Sequence, residues 1–319
     1  MEKRVISVII LFSLTAVLTY YSLLETWMEA ENLESAGGKE EIKEVFQINT
    51  KWDWILFCER VNKGERSLDA ILCQDIDLKN EKCQVLYYEG SFDGKDNCII
   101  DTASSLFYTL GKKGKIQNLH VKDTYITPKQ QKGNLGGIVS RNKGSIIGCS
   151  VTGYLEGAYF VGGIAGFNEG EILNCINFST IVSKATGKYH LWWKDYTEEL
   201  YGAGGIAGFT GCPIMMELSN GNSAFIKNCI NYGKITGKVL VGGVCGHLAG
   251  YGRRYHYEPI TYDISYCKNY GSVLCETRYD EVRFGNAGGI CGYDLAGTFY
   301  RCMNGAKVEF KEDTINRSK

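Results

Sequence analysis

Residues 162–183 read GGIAGFNEGEILNCINFSTIVS, and this stretch decides the fold. Its opening phrase consists of two glycines, a branched apolar residue, a variable residue and a small residue. The phrase occurs at residues 136–140, 162–166, 204–208, 242–246 and 288–292. After each phrase comes a second one with a single cysteine: Cys149, Cys175, Cys229, Cys267 and Cys302. Such self-similarity indicates stacked structural units, each in contact only with its neighbours.

Each repeat divides into three short β-type runs, which in residues 161–183 are VGGIAG, EILNCIN and STIVS. Apolar and polar residues alternate along the runs, so each run has one apolar face. A single coil cannot bury that face, whereas stacked coils can. With residues 104–121 counted as a degenerate repeat, the pattern predicts an all-β chain, a right-handed parallel β-helix (solenoid) of about seven coils.

An asparagine follows the repeat cysteine by two residues in four repeats, at Asn177, Asn231, Asn269 and Asn304. Asparagines that stack at a turn can hydrogen-bond along the column that they form. We therefore expect an asparagine column along the solenoid.

The chain has 13 cysteines, an odd number, and their spacing follows the repeat. Cys245 and Cys291 stand where sister repeats have Ala165 and Ala207, as expected of small buried apolar residues. Stacked side chains point in parallel about 4.8 Å apart, whereas a disulfide needs Cβ atoms nearer about 3.8 Å. We expect reduced thiols in this column, while a Cys73–Cys83 disulfide outside it stays open.

Residues 50–62, TKWDWILFCERVN, are predicted to form an amphipathic helix that caps one end of the solenoid. Thr50 is the expected N-cap, and Asp53 takes the acidic position of a capping box. The expected apolar surface consists of Ile55, Phe57, Cys58 and Val61.

The first residues predict a membrane segment. An uncharged apolar run, VISVIILFSLTAVLTYYSLL, covers residues 5–24 and is long enough to cross a bilayer of about 30 Å. Residues 1–24 are thus a predicted signal-anchor transmembrane helix, with a cleaved signal peptide as the alternative. Lys3 and Arg4 before the run place the N-terminus in the cytoplasm. We expect a single-pass membrane protein with its C-terminal part extracellular, or alternatively a secreted one.

The remaining chain is assigned as an acidic spacer at 25–49, a β-helix at 50–310 and a tail at 311–319. The spacer assignment reflects many glutamates and little apolar content. The formal net charge of −1 gives no electrostatic basis for nucleic-acid binding. No CxxC pair occurs and the histidines are scattered, so we predict neither a metal site nor a cofactor.

The order of motifs resembles that of GLUG-repeat proteins. An opening helix is followed by DIDL at 75–78, by FDG at 92–94, by the run at 106–119 and then by the five GG repeats. The resemblance covers roughly residues 50–305, although Ser140 replaces the closing glycine of the first repeat. It implies a bacterial cell-surface, adhesin-like β-helix. The family also includes non-catalytic parts of some immunoglobulin A proteases, and it offers no catalytic motif to transfer.

Four insertions interrupt the repeats. Those at 184–201 and 276–285 follow the third run of their coils, and those at 211–223 and 249–262 follow the GG run. Equivalent insertion points lie on the same side of a solenoid, so we predict two loop clusters. Aromatic rings with polar neighbours suit stacking on sugars or anchoring a protein. The predicted ligand-binding residues are Tyr189, Trp192, Trp193, Tyr196, Arg253, Arg254, Tyr255 and Tyr257.

These observations favour a recognition or adhesion module that binds a glycan or a host or cell-surface protein. The same loop aromatics could instead only cover exposed coil edges. No HExxH or GxSxG motif occurs, so no catalytic residue is predicted. Carboxylates spread over separate insertions keep a carbohydrate-active enzyme, a lyase or glycoside hydrolase, as the alternative. A passive envelope spacer is the third hypothesis.

Overall fold

The fold is all-β apart from one helix. A computed structural model describes residues 45–127, 129, 133–184, 189–190, 197–198, 202–211, 224–249, 263–276, 287–295 and 297–310. The first half contains β1 (Val45–Ile48), α1 (Lys51–Asn62), β2 (Asp69–Leu72), β3 (Ile76–Asp77), β4 (Val85–Tyr88), β5 (Ser91–Asp93), β6 (Cys98–Ile100), β7 (Phe107–Leu110), β8 (Lys115–Gln117), β9 (His120–Ile126), β10 (Leu135–Gly136), β11 (Val139–Asn142), β12 (Ser145–Ile147), β13 (Ser150–Gly157), β14 (Val161–Gly162), β15 (Ala165–Asn168), β16 (Glu171–Leu173), β17 (Ile176–Asn177) and β18 (Thr180–Ser183). The second half contains β19 (Tyr189–His190), β20 (Thr197–Glu198), β21 (Ala203–Gly204), β22 (Ala207–Gly211), β23 (Phe225–Lys227), β24 (Ile230–Asn231), β25 (Ile235–Gly237), β26 (Val241–Gly242), β27 (Cys245–Ala249), β28 (Ile264–Ser265), β29 (Lys268–Asn269), β30 (Val273–Cys275), β31 (Ala287–Gly288), β32 (Cys291–Leu295), β33 (Phe299–Tyr300), β34 (Met303–Asn304) and β35 (Val308–Phe310).

Four parallel sheets run along the molecule, and each repeat contributes strands to all of them. Sheet 1 has the order β10-β14-β21-β26-β31, and sheet 2 has β4-β7-β11-β15-β22-β27-β32. Sheet 3 runs β1-β2-β5-β8-β12-β16-β23-β28-β33, and sheet 4 is a twelve-stranded sheet that includes β9, β13, β17, β18, β24, β25, β29, β30, β34 and β35. Because equivalent strands of successive repeats pair in parallel, the architecture is β-helix-like, as the repeat predicted.

The GG phrase forms a corner between two sheets, where the sequence predicted one continuous run. Its first glycine ends a sheet 1 strand, and the sheet 2 strand begins three residues later, as in Gly162 and Ala165. A Cβ on the first glycine would collide with backbone atoms of its own coil and of the next one. Two adjacent residues without side chains therefore let the chain turn in this space.

The predicted asparagine column is confirmed. The Nδ2 atoms of Asn177, Asn231 and Asn269 each donate to the Oδ1 atom of the next asparagine at 2.8 Å, and Asn304 ends the column. Each Oδ1 also accepts the backbone N–H two residues later, which closes a turn in the chain. The first three side chains are fully buried, and these bonds satisfy their polar atoms inside an apolar core.

Four of the five repeat cysteines are confirmed as free, buried thiols, and Cys302 in the last coil is free but only partly buried. Cys149, Cys175, Cys229 and Cys267 are at most 1% exposed and form no disulfide. Each thiol lies 3.2–3.3 Å from the carbonyl oxygen two residues earlier. Cys73 and Cys83 are free as well, so the disulfide left open between them is not formed.

Helix α1 closes the first end of the core, as predicted. The Thr50 hydroxyl accepts the Asp53 N–H, and the Asp53 carboxylate accepts the Thr50 N–H, which completes the capping box. Ile55 is only partly buried; the buried face is Trp54, Phe57, Cys58 and Val61, at helical spacing. Trp54 and Phe57 pack against Phe92, with ring centroids 5.9–6.0 Å apart.

The β-structure begins earlier than predicted. Strand β1 lies inside the range 25–49 assigned to the spacer, and it pairs with β2 from Val45 to Ile48. Ile48 is fully buried, so this end of the assigned spacer belongs to the core. Within the described residues no helix is long and apolar enough to cross a membrane. The predicted segment 1–24 lies outside those residues.

Replacing a central member of the asparagine column should destabilise the whole solenoid. Asn231→Ala leaves the buried Gly233 N–H and one Asn177 N–H without partners, at about 1–3 kcal/mol each. We expect the free energy of unfolding in urea to fall by about 3 kcal/mol. Asn228→Gly is the control, because Asn228 is exposed and has a φ of 54° that glycine adopts readily. Equal losses for both variants would contradict the role given to the column.

The extent to which each cysteine is chemically labelled in the native protein should follow the exposure of its side chain. In native protein, iodoacetamide should modify Cys73, which is exposed, and leave Cys175, Cys229 and Cys267 unmodified until denaturant is added. Peptide mass mapping after each step identifies the cysteines that have been modified. A disulfide-linked peptide pair from neighbouring coils would refute the free-thiol column.

Candidate recognition surface

The roots of the insertions fall where the repeat pattern places them. Two insertions leave from the ends of β22 and β27, whose last residues Gly211 and Ala249 are paired across neighbouring coils. Two others follow β18 and β30, whose residues Ser183 and Cys275 both pair with Gly237 of the coil between them. The described roots therefore form two groups, as predicted.

Most of the predicted ligand-binding side chains lie outside the described residues. These are Trp192, Trp193, Tyr196, Arg253, Arg254, Tyr255 and Tyr257. Tyr189 is described for its backbone only, in β19, which pairs antiparallel with β20 (Tyr189 with Glu198). Their part in binding stays a prediction.

A row of exposed aromatic rings lies on the outer side of sheet 4, and sequence reasoning did not identify it. We call Phe178, Tyr232 and Tyr270 the aromatic ladder. Neighbouring centroids are 5.2 Å apart and the ring planes differ by only 7° and 17°. The three side chains are 50%, 47% and 41% exposed. Parallel rings at this separation overlap with an offset, so each presents an edge and part of one face to solvent.

The position of the aromatic ladder follows from that of the asparagine column. Each ladder residue directly follows a column asparagine, and because that asparagine points inward, the next side chain points outward. The ladder ends beside Gly305, which follows Asn304 and has no side chain to cover Tyr270. An aromatic residue after three of the four repeat asparagines is the sequence signal that could have revealed it.

The residues next to the ladder in the sequence are mostly apolar, polar uncharged or cationic. Among residues within two positions of its members, the charged ones are Lys234 and Lys268, both exposed. Ile176 and Ile230 flank the rings on the sheet and are partly buried. A second stack, Tyr125 on Tyr154 at 5.5 Å, lies on the same sheet, and Tyr154 pairs with Thr180. The Tyr154 hydroxyl donates to the carboxylate of Glu156, which also pairs with Lys184, so one carboxylate lies beside this second stack.

A different column, on sheet 2, lies beneath two of the insertion roots. Phe167, Phe209, His247 and Tyr293 occupy equivalent positions in successive coils. Phe167 stacks on Phe209 at 4.4 Å, and His247 meets the edges of Phe209 and Tyr293 at 5.0 and 5.3 Å. His247 is 4% exposed, and neither ring nitrogen has a hydrogen-bond partner among the described residues. Burial lowers the pKa of His247 to about 4.

One serine, one histidine and one carboxylate are brought together on sheet 4. His120 Nδ1 lies 2.7 Å from Ser150 Oγ, and His120 Nε2 lies 3.7 Å from Asp96 Oδ1. A hydrolytic triad also needs donors for an oxyanion. Here the Ser150 and Gly148 N–H groups already donate to carbonyls of adjacent coils. These two backbone groups are therefore unavailable to stabilise an oxyanion beside Ser150.

No group of three or more His, Cys, Asp or Glu side chains that could hold a metal ion occurs in the described part of the chain. Asp263, which directly follows the insertion at 249–262, accepts hydrogen bonds from Thr298 N and Oγ1 at 2.8 Å. Its carboxylate is thus engaged in holding the next coil.

Comparison with known proteins supports the fold. No family model matches the chain, and no curated protein matches it. A solved structure, described as a "putative immunoglobulin A1 protease" from Bacteroides ovatus, is similar over 87% of this chain and 80% of its own. The TM-score is 0.57 and the sequence identity is 20%. At this identity the similarity shows a shared fold and leaves the activity to be argued separately.

The burial of His247 should make stability depend on pH. Its pKa is about 4 in the folded protein, against an ordinary value of 6.5, so the unfolded chain binds a proton first as the pH falls. The contribution is constant above about pH 6.5, and the free energy of unfolding should decrease between about pH 6.5 and pH 4. Urea titrations at several pH values measure this decrease. His247→Phe, which matches Phe209 in the preceding coil, should reduce the slope by about one proton; an unchanged slope would contradict it.

Proposed function

We propose that this protein is a recognition or adhesion module, displayed at a bacterial cell surface, that binds a glycan or a cell-surface protein through aromatic side chains. The observation that supports it best is the aromatic ladder, three exposed parallel rings held in register by successive coils. Rings fixed on a rigid sheet lose little conformational freedom when they bind a partner, which favours affinity.

The arrangement of chemical groups favours binding over hydrolysis. Binding calls for exposed parallel aromatics, whereas glycoside cleavage calls for two carboxylates converging at about 5–9 Å. The ladder has the first, and the charged residues next to it in the sequence are the cations Lys234 and Lys268. A passive spacer would have no reason to keep a row of apolar rings in water, since such surface usually marks an interaction site.

The proposal also covers the handedness of the solenoid, its number of coils, its family and its attachment to the membrane. The solenoid is right-handed, as parallel strand connections nearly always are, with about seven coils. It is a GLUG-repeat type of surface protein, anchored by the segment at 1–24 or released after its cleavage. Trp192, Trp193, Arg253 and Tyr255 of the insertions are part of the proposed set of ligand-binding residues.

An enzyme is the second candidate function, and two observations favour it. The solved structure with a similar fold is described as a protease, and His120 bridges Ser150 and Asp96 here. The paired carboxylates that a carbohydrate-active enzyme would need belong mainly to the insertions.

Binding assays with matched variants test the proposal. The protein is incubated with host and bacterial polysaccharides and with host surface proteins, and bound ligand and released sugar ends are recorded together. Tyr232→Ala with Tyr270→Ala removes the centre of the ladder, and Trp192→Ala with Trp193→Ala removes an insertion pair. Loss of binding by at least about tenfold in either variant would locate the site, as expected when contacts worth more than about 1.4 kcal/mol are lost.

Tyr108→Ala is the control, because Tyr108 is 47% exposed and lies on sheet 2, away from the ladder. Product release that survives both aromatic variants would overturn the recognition proposal in favour of the enzyme. Absence of any binding or product would favour the spacer.

A further inference from the structure

The two ends of the solenoid are built differently. At the first end, α1 covers the core and Trp54 and Phe57 are fully buried. At the last coil, Ile290 is only partly buried, although its counterparts Ile138, Ile164, Ile206 and Val244 are all 0% exposed. Cys291, Cys302 and Val308 show the same contrast with the preceding coils. The core therefore reaches the surface at this end of the described chain.

The sheets also end there. Strand β31 is the last strand of sheet 1, β32 of sheet 2 and β33 of sheet 3, while β34 and β35 are end strands of sheet 4. The asparagine column ends at Asn304, which is exposed, whereas Asn269 before it is fully buried. A terminal coil with an apolar core and strand edges normally needs a cap, since open edges associate.

A cavity of about 540 Å³ opens on this end face. Its walls are mainly apolar, from Ile290, Cys291, Phe299, Tyr300 and Cys302, and it carries one acid and one base, Asp294 and Arg301. Both charged residues are exposed: Asp294 lies in β32, and Arg301 directly follows β33. The end face thus combines an apolar centre with one charge of each sign.

We propose that this end face binds the same face of a second copy of the chain, forming a two-fold dimer. In such an interface the residue pairs occur twice, because each contact from one copy to the other is repeated in reverse. The axis passes between Asp294 and Arg301, so Asp294 of each copy meets Arg301 of the other. One acid and one base beside an apolar centre satisfy this requirement without a different partner.

Charge complementarity favours a second copy as the occupant. A second end face supplies matching apolar surface, and its own Asp294 and Arg301 supply the opposite charge at each position. The dimer is independent of the recognition proposal, because the ladder lies on the outer side of sheet 4 and the interface lies at the end of the stack.

Charge reversal gives a test with built-in rescue. Full-length chains with two different affinity tags are mixed in mild detergent, and co-purification is measured together with particle mass. Wild-type chains should co-purify as dimers. Asp294→Arg alone opposes two arginines, and Arg301→Asp alone opposes two aspartates, so each variant with itself should lose co-purification by at least about tenfold. Lys113→Glu, an exposed charge reversal in the turn before β8, should behave as wild type.

The decisive mixture combines the Asp294→Arg chain with the Arg301→Asp chain. Each copy then supplies the charge that the other needs at both positions, and co-purification should return, which also shows that both variants are folded. A wild type that is monomeric at all concentrations would overturn the proposal. Association that persists in both single variants, as contacts through the N-terminal segment would give, or a mixture without rescue, would overturn it as well.

Discussion

In four successive coils the second glycine of the GG phrase lies directly against the carboxamide of the column asparagine. A Cβ on Gly163, Gly205, Gly243 or Gly289 would overlap the Cγ of Asn177, Asn231, Asn269 or Asn304 of the same coil. The corner between sheets 1 and 2 therefore approaches sheet 4 across the coil as closely as backbone and amide allow. The amides of Asn177, Asn231 and Asn269 are fully buried and must find their hydrogen bonds along the column, which the next coil provides. Burial of the asparagine within its coil thus requires that the next coil stack on it, because only that coil supplies the missing hydrogen bonds.

The first clear repeat shows what the asparagine adds. There Val151 stands in the column, facing Gly137, and β13 runs without a break from Ser150 to Gly157. In the next coil Asn177 replaces it, its Oδ1 accepts the Ser179 N–H, and the strand divides into β17 and β18. A valine fills the space but offers no acceptor for a turn. The repeat with asparagine therefore has a turn closed by the asparagine Oδ1 where the repeat with valine has a continuous strand, and the ladder ring of Phe178 lies in that turn.

The repeat made most of the fold predictable. Five GG phrases became the five strands of sheet 1, the cysteines became a column of buried thiols, and Thr50 and Asp53 capped the helix as their spacing indicated. The corner inside VGGIAG was missed because alternation of apolar residues does not register a turn made by two glycines. The ladder was missed for a related reason: Phe178, Tyr232 and Tyr270 face outward, where hydrophobic patterning expects polar residues. His120 and Ser150 are directly paired in the register of β9 with β13, so their contact follows from equivalent positions in neighbouring coils, although it was not identified in the sequence.

The direction of the hydrogen bonds has a mechanical consequence. Every parallel strand pair joins one coil to the next, so these backbone bonds point along the stack, and Val45 and Phe310 belong to strands at its opposite ends. A pulling force between these two residues loads the bonds of a single coil boundary at a time rather than shearing many in parallel. The molecule would then lengthen in steps, giving up one coil per step, and each released coil would absorb extension before the next boundary bears the load. A solenoid held at both ends acts in this way as an extensible tether.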